Sequence, residues 1–312
     1  AGWRRHLGVD GGQTSLKCAL AGEDGAILGV GSGRGILHLA APGGVPTLRA
    51  ALAEASAAAW ANAGLLPRPV AAAALGLTGV SDAHTPEAEL ARQIAREVLG
   101  AGQVVVENDA LVALMGAHLG QPGIIVIAGT GSIALGVDAR GQRARAGGWG
   151  WLLGDEGSAY WIGREALRAA LRAQEGWGAP TPLVGIFLQH FNLQELISVK
   201  RVVFSADFGA QGFAALAPLA AQAALEGDPT AAGIFDHAGQ ELGMLAQAVA
   251  QQLGGSLPVA PVGGAFEHFQ ALRQSFSAWL AAAQPRVQVI SPRGSPLEGA
   301  VILARMALSS EA

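Results

Sequence analysis

The chain has 312 residues, of which 51% are hydrophobic and 14% charged, with a formal net charge of −4. That length exceeds one ordinary core and the apolar content supplies two, while the negative charge gives a nucleic-acid partner no electrostatic footing. No apolar run reaches the roughly 18 residues of a membrane span, no signal-peptide pattern opens the chain, and one cysteine, Cys18, excludes a disulfide framework, a four-cysteine iron–sulfur site and a structural zinc site. A cytoplasmic protein with neither nucleic-acid nor membrane partners is expected.

The first informative stretch is LGVDGGQTSLK, residues 7–17. It reads as a strand that delivers Asp10 to a Gly11-Gly12 turn, followed at once by a second strand. Glycines admit an anion close to backbone N–H groups, Gln13 and Thr14 add side-chain donors, and Asp10 on the strand tip can hold a hydrated Mg²⁺. Strands are expected over 3–9, 14–22 and 26–31, with a turn at EDGA (residues 23–26) completing an antiparallel meander. Residues 33–44, GRGILHLAAPGG, read as an irregular loop long enough to be functional.

A helix follows over 46–63, a buried strand over 70–77 ending in Thr78-Gly79, and a helix over 85–99 with Pro86 in its first turn. VVVEND, residues 104–109, reads as a buried strand ending in two polar residues before another helix. The order β-β-β-α-β-α-β-α predicts a mixed sheet flanked by helices.

The opening grammar then recurs. Residues 122–148 give a strand, a Gly-Thr-Gly-Ser turn containing Thr130 and Gly131, a second strand, an Arg-Gly turn and a third short strand. Two such turns can hold the two ends of a polyphosphate. GGWGWLLGDEGSAYWIGREAL, residues 147–167, is too glycine-rich at its start for a regular element. A helix is expected from Glu156 with Asp155 near its N-cap. The Trp faces offer a wall for an apolar ring surface and Asp155 a partner for hydroxyls. Residues 180–253 read as Ala-rich helices without chemistry of their own, whose faces leave a homodimer open. LPVAPVGGAFEH, residues 257–268, is a strand–Gly-Gly–helix junction on which a flat heterocycle can rest. A last strand over 286–290 and a terminal helix over 296–308 close the chain.

Taken together, LGVDGGQTSLK, VENDA, IAGTGSIALG, GGWGWLLGDEGSAYWIG and VGGAF resemble the BadF/BadG/BcrA/BcrD ATPase family of the sugar kinase, Hsp70 and actin superfamily, nearest its N-acetylglucosamine kinases. The resemblance implies an α/β, two-domain ribonuclease H-like (actin-like ATPase) fold with a cleft. One domain would take residues 1–118 with 295–312, the other 119–294. It implies ATP and Mg²⁺ as cofactors and an amino sugar, N-acetylglucosamine or glucosamine, phosphorylated at O6.

By position, Asp10 is similar to the Mg²⁺-associated carboxylate, and Gly11, Gly12, Gln13 and Thr14 to the first phosphate turn. Asp109 resembles the general base, Thr130 and Gly131 the second phosphate turn, and Gly263 and Gly264 the adenosine motif. Asp155, Gly148 and Trp149 resemble the sugar-binding edge. The chemistry agrees, since phosphoryl transfer to a hydroxyl needs charge neutralisation, positioning and one carboxylate to take the proton. The plain alternatives are an N-cap role for Asp109 and a turn-stabilising one for Asp10.

Two amides that amino-sugar kinases of this type often carry are absent, with His38 in the loop after the third strand and Ile133 after Gly-Thr-Gly-Ser. His38 is therefore a candidate sugar contact. The alternatives within the family are an ATPase activator, whose shared iron–sulfur cluster needs more cysteines than Cys18, and a sugar-sensing protein.

Overall fold

The computed structural model describes residues 4–309; Trp3, assigned to the first predicted strand, lies outside them. The chain divides into two compact units, one running to Gln121 and resuming at Pro292, the other Pro122–Ser291. Among the described residues no helix is long and apolar enough to cross a membrane.

In the first unit the order is β1 (His6–Gly11), β2 (Ser15–Ala21), β3 (Ile27–Arg34), α1 (Gly44–Asn62), β4 (Val70–Leu77), α2 (Pro86–Leu99), β5 (Ala101–Asn108) and α3 (Asp109–Ala117). The sheet runs β3-β2-β1-β4-β5, antiparallel in the meander and parallel from β1 through β4 to β5. Leu7, Val9, Leu75 and Val106 bury one face with Leu48 and Leu52 of α1 and Ile94 of α2. The other face is built of small residues. Ala19 and Ala21 of β2 and Ala72 and Ala74 of β4 cluster with Leu297, Val301 and Ala304 of the C-terminal helix, Pro296–Ser309. A Cβ on Gly8 would sit 2.6 Å from the backbone nitrogen of Val301, so the poor side-chain volume of β1 and β4 is what lets this helix lie close.

The second unit contains β6 (Gly123–Ala128), β7 (Ser132–Val137), β8 (Arg143–Gly147), α4 (Ala159–Gln174), α5 (Leu183–His190), α6 (Val199–Val203), α7 (Gly209–Ala214), α8 (Ala217–Leu225), α9 (Pro229–Gln252), β9 (Val259–Val262), α10 (Gly264–His268) and α11 (Gln270–Ala283). Its sheet runs β8-β7-β6-β9, with β6 and β9 parallel. Ile124, Val126, Phe187, Phe235, Leu242, Phe266 and Phe276 form its core. The repeat seen in the sequence is thus a repeat of topology. In each unit a meander's first strand lies between its hairpin partner and a later parallel strand.

Several predicted boundaries move. β3 continues to Arg34, whose guanidinium pairs with Glu54 of α1, so the irregular loop starts at Gly35. β5 ends at Asn108 and Asp109 is already helical. α4 begins at Ala159, not Glu156. Asp155 (φ 65°) and Gly157 (φ 75°) are left-handed and cannot propagate a helix, and the Ser158 side chain caps it by accepting Trp161 N–H at 3.2 Å. The strand expected over 286–290 is reduced to one bridge, Val259 to Val289, although Val287 still packs against the core of the unit.

Candidate active site

Strand register assembles the candidate residues of the first unit. Gly11 pairs with Leu77, and Leu77 with Asn108, so the chain leaves three parallel strands side by side at Gly12, Thr78 and Asp109. Ligands of such sheets bind where the carboxyl ends of the strands open. One row back, Asp10 pairs with Gly76 and Gly76 with Glu107. A Cβ on Gly76 would strike Val112 of α3, which places this row on the face that α3 covers and brings Asp10 toward the start of that helix.

The carboxylate of Asp109 is not spent on capping. Asn108 is the N-cap of α3, its Oδ1 accepting Leu111 N–H at 2.8 Å. Asp109 Oδ2 instead accepts the Thr78 hydroxyl at 2.7 Å, and Thr78 N–H donates to the Gly11 carbonyl at 2.9 Å. Burial and then the charge of Asp109 push the Asp10 carboxyl above the usual carboxylate range, against a smaller downward pull from Lys17.

The first turn is narrower in its resources than its sequence suggested. Gly11 is buried, and a Cβ there would sit 2.7 Å from Leu77 Cδ2, so packing alone explains that glycine. Gly12 N–H donates to Ser15 O at 3.0 Å. Gln13 and Thr14 are the exposed residues of this turn. His38 is exposed, its Nδ1 accepting Ala40 N–H at 3.2 Å, and its ring lies against Gly79, where a Cβ would be 2.8 Å from His38 Cδ2. It therefore stands one residue from Thr78.

In the second unit the equivalent turn is Gly129–Gly131. It is pinned from behind by the segment that leads into α4. Ala159 N–H donates to Gly129 O at 2.9 Å, Ser132 Oγ to Glu156 O at 2.7 Å, and Ser132 N–H to Asp155 Oδ1 at 3.0 Å. A Cβ on Gly131 would sit 2.7 Å from Asp155 Oδ2, so this glycine makes room for the carboxylate. Asp155 is 9% exposed. Its burial pushes it above the usual carboxylate range; the Ser132 N–H opposes this and the charge of Glu156 adds to it.

Thr130 Oγ1 lies 3.4 Å from Gln211 Oε1, a neighbour that the Ala-rich helical region gave no reason to expect. Gly263 (φ 102°) passes so close to β6 that a Cβ would be 2.6 Å from Ala128 O, while Gly264 has room around it. Gly148 (φ 72°) packs on Ile133. Trp149 is 67% exposed, with the Arg145 guanidinium 5.1 Å from its ring centre.

The sequence singled out Asp10, Asp109 and the two turns as candidates, but it did not mark Thr78, Asn108 and Gln211 as their neighbours. The Thr-Gly at the end of a buried strand was the available signal for the first of these. Among the described residues no group of three or more His, Cys, Asp or Glu side chains gathers to hold a metal.

Two mixed sheets flanked by helices, each with a tight Gly/Thr turn at the carboxyl end of its first strand, are the architecture of an actin-like ATPase. The chain belongs to the BadF/BadG/BcrA/BcrD ATPase family, which matches residues 7–304. It is 32% identical over 225 residues to the N-acetylmuramic acid/N-acetylglucosamine kinase of Clostridium acetobutylicum, covering 71% of this chain and 74% of that protein. It is 27% identical over 304 residues to a glucosamine kinase of Vibrio cholerae, covering 96% of this chain and 95% of that one. A solved Chromobacterium violaceum structure described as that of an N-acetylglucosamine kinase superposes with a TM-score of 0.72 at 32% identity, over 96% of this chain and 99% of that one.

Proposed function

We propose that the protein is an ATP-dependent hexosamine kinase that phosphorylates N-acetylglucosamine or glucosamine at O6. The observation that carries this reading is the Asp10–Thr78–Asp109 group at the carboxyl edge of β1, β4 and β5, in a chain whose relatives are named as kinases of amino sugars.

Asp109 accepts the proton of the sugar hydroxyl as that oxygen bonds to the γ-phosphorus. The bond from the γ-phosphorus to the β–γ bridging oxygen breaks, and ADP leaves with that electron pair. Gln13 and Thr14 in the first turn, and Thr130 and Gly131 in the second, donate to phosphate oxygens. Gly263 and Gly264 offer a flat backbone to the adenosine. His38, Gly148, Trp149 and Asp155 are the sugar contacts of this reading.

Mg²⁺ takes one or two carboxylates and otherwise keeps water and phosphate oxygens. Asp10 fits that demand, because a divalent cation relieves the burial and repulsion that disfavour its charge. When bound, the ion neutralises charge on the transferring phosphoryl group.

The test is ADP release measured with glucosamine, N-acetylglucosamine, glucose, N-acetylmannosamine and no sugar. Release that depends on an amino sugar is expected, with phosphorus–proton coupling to the C6 protons of the product. Equal release with and without every sugar defeats the reading.

A further inference from the structure

Resting on that reading, we infer that Thr78 is a positioning residue: it holds the Asp109 carboxylate in register with the first phosphate turn. A carboxylate on an Asp side chain turns freely about its last bond, since that torsion is broad. A base that must meet one particular hydroxyl loses rate when its oxygens wander. Here the wandering is stopped by a relay of two hydrogen bonds. Gly11 O accepts Thr78 N–H at 2.9 Å, and Thr78 Oγ1 donates to Asp109 Oδ2 at 2.7 Å.

The backbone end of this relay is fixed by the parallel pairing of β1 with β4, so the hydroxyl inherits the precision of the sheet. The loop beyond is tied to the same helix start a second time, through Asn108 Nδ2 donating to Ser81 O at 3.2 Å. Because Asn108 takes the capping role, Oδ1 of Asp109 is left for the acceptor. The hydroxyl's single proton goes to Oδ2. Thr78 itself neither takes nor gives up a proton in the reaction.

The experiment compares wild type with Thr78→Val, which keeps the shape and removes the donor, and Thr78→Ser, which keeps the donor. Thr78→Val is expected to lower kcat by roughly 10- to 100-fold with KM for ATP and sugar little changed. Thr78→Ser should restore most of the rate. An unchanged kcat in Thr78→Val, or a rise in sugar KM alone, overturns the inference, the latter by making Thr78 a substrate contact. Crystal structures of wild type and Thr78→Val give a readout independent of catalysis: the Asp109 carboxylate should rotate in the variant, and an unmoved carboxylate overturns the inference. A wild-type protein without sugar-dependent ADP release sinks the kinase reading, and the crystallographic comparison still decides the role of Thr78.

Discussion

Oδ1 of Asp155 accepts the backbone N–H of Ser132 at 3.0 Å, joining the entrance of a helix to the end of a turn far away in sequence. Both partners are buried, so the bond cannot be exchanged for one to water. Asp155→Ala should leave the Ser132 N–H unsatisfied and destabilise the protein by about 1–3 kcal/mol, read as a lower urea midpoint. Asp155→Asn, which keeps an acceptor, should recover part of the loss. An unshifted midpoint in Asp155→Ala would show that the turn is held by its other bonds alone.

Asp109→Asn tests the base. The amide cannot take the proton, so turnover should fall by roughly 10²- to 10⁴-fold while calorimetry still detects ATP and sugar. Near-normal turnover removes Asp109 from the role.

Asp10 makes a prediction about pH. Its folded carboxyl binds a proton more tightly than it does in the unfolded chain, because of burial and Asp109. Stability therefore falls as pH rises from the ordinary carboxylate range through the raised value in the folded state, and stays lower above it. Asp10→Asn should remove this slope and be more stable than wild type at pH 7, while losing activity. An Asp10→Asn protein with the wild-type slope in acid urea titrations contradicts the assignment.

Glycines separate fold from function. Gly129 has nothing within 4 Å of its missing Cβ, and the nearest atom for Gly12 is Ser15 O at 3.6 Å. Gly12→Ala and Gly129→Ala should thus fold with wild-type stability yet raise KM for ATP, since each methyl group stands where an anion must approach. Gly131→Ala meets the Asp155 carboxylate instead and should lose stability as well. Thermal melts beside ATP kinetics tell the three apart.

Cys18 is buried and its thiol is pushed up to about 12 by burial. It should resist disulfide reagents in the native protein and react only on unfolding. Fast labelling of native protein would show that β2 opens locally.

How far the sequence foretold this molecule depended on the kind of force involved. Apolar strands such as residues 70–77 and capped helices such as Pro86–Leu99, where the Thr85 side chain accepts Ala88 N–H at 3.2 Å, announce themselves because neighbours in sequence decide them. The same holds for the turns at Gly12 and Thr130. What escaped notice is decided across the chain. Thr78 and Asp109 meet only through strand register, Gln211 reaches Thr130 from a different helix, and the left-handed Asp155 is imposed by its bond to Ser132. An aspartate two residues ahead of a Gly-Ser pair looks like a helix cap until the partner of its carboxylate is known.

The helix Pro296–Ser309 closes the alanine face of a sheet whose first strand is made at the opposite end of the chain. On a ribosome, the contiguous second unit can finish its core while β1, β2 and β4 still show that face to water. Order of synthesis and order of completion are therefore reversed: the half of the protein that carries Asp10 and Asp109 starts first and can be completed only once its last helix is made.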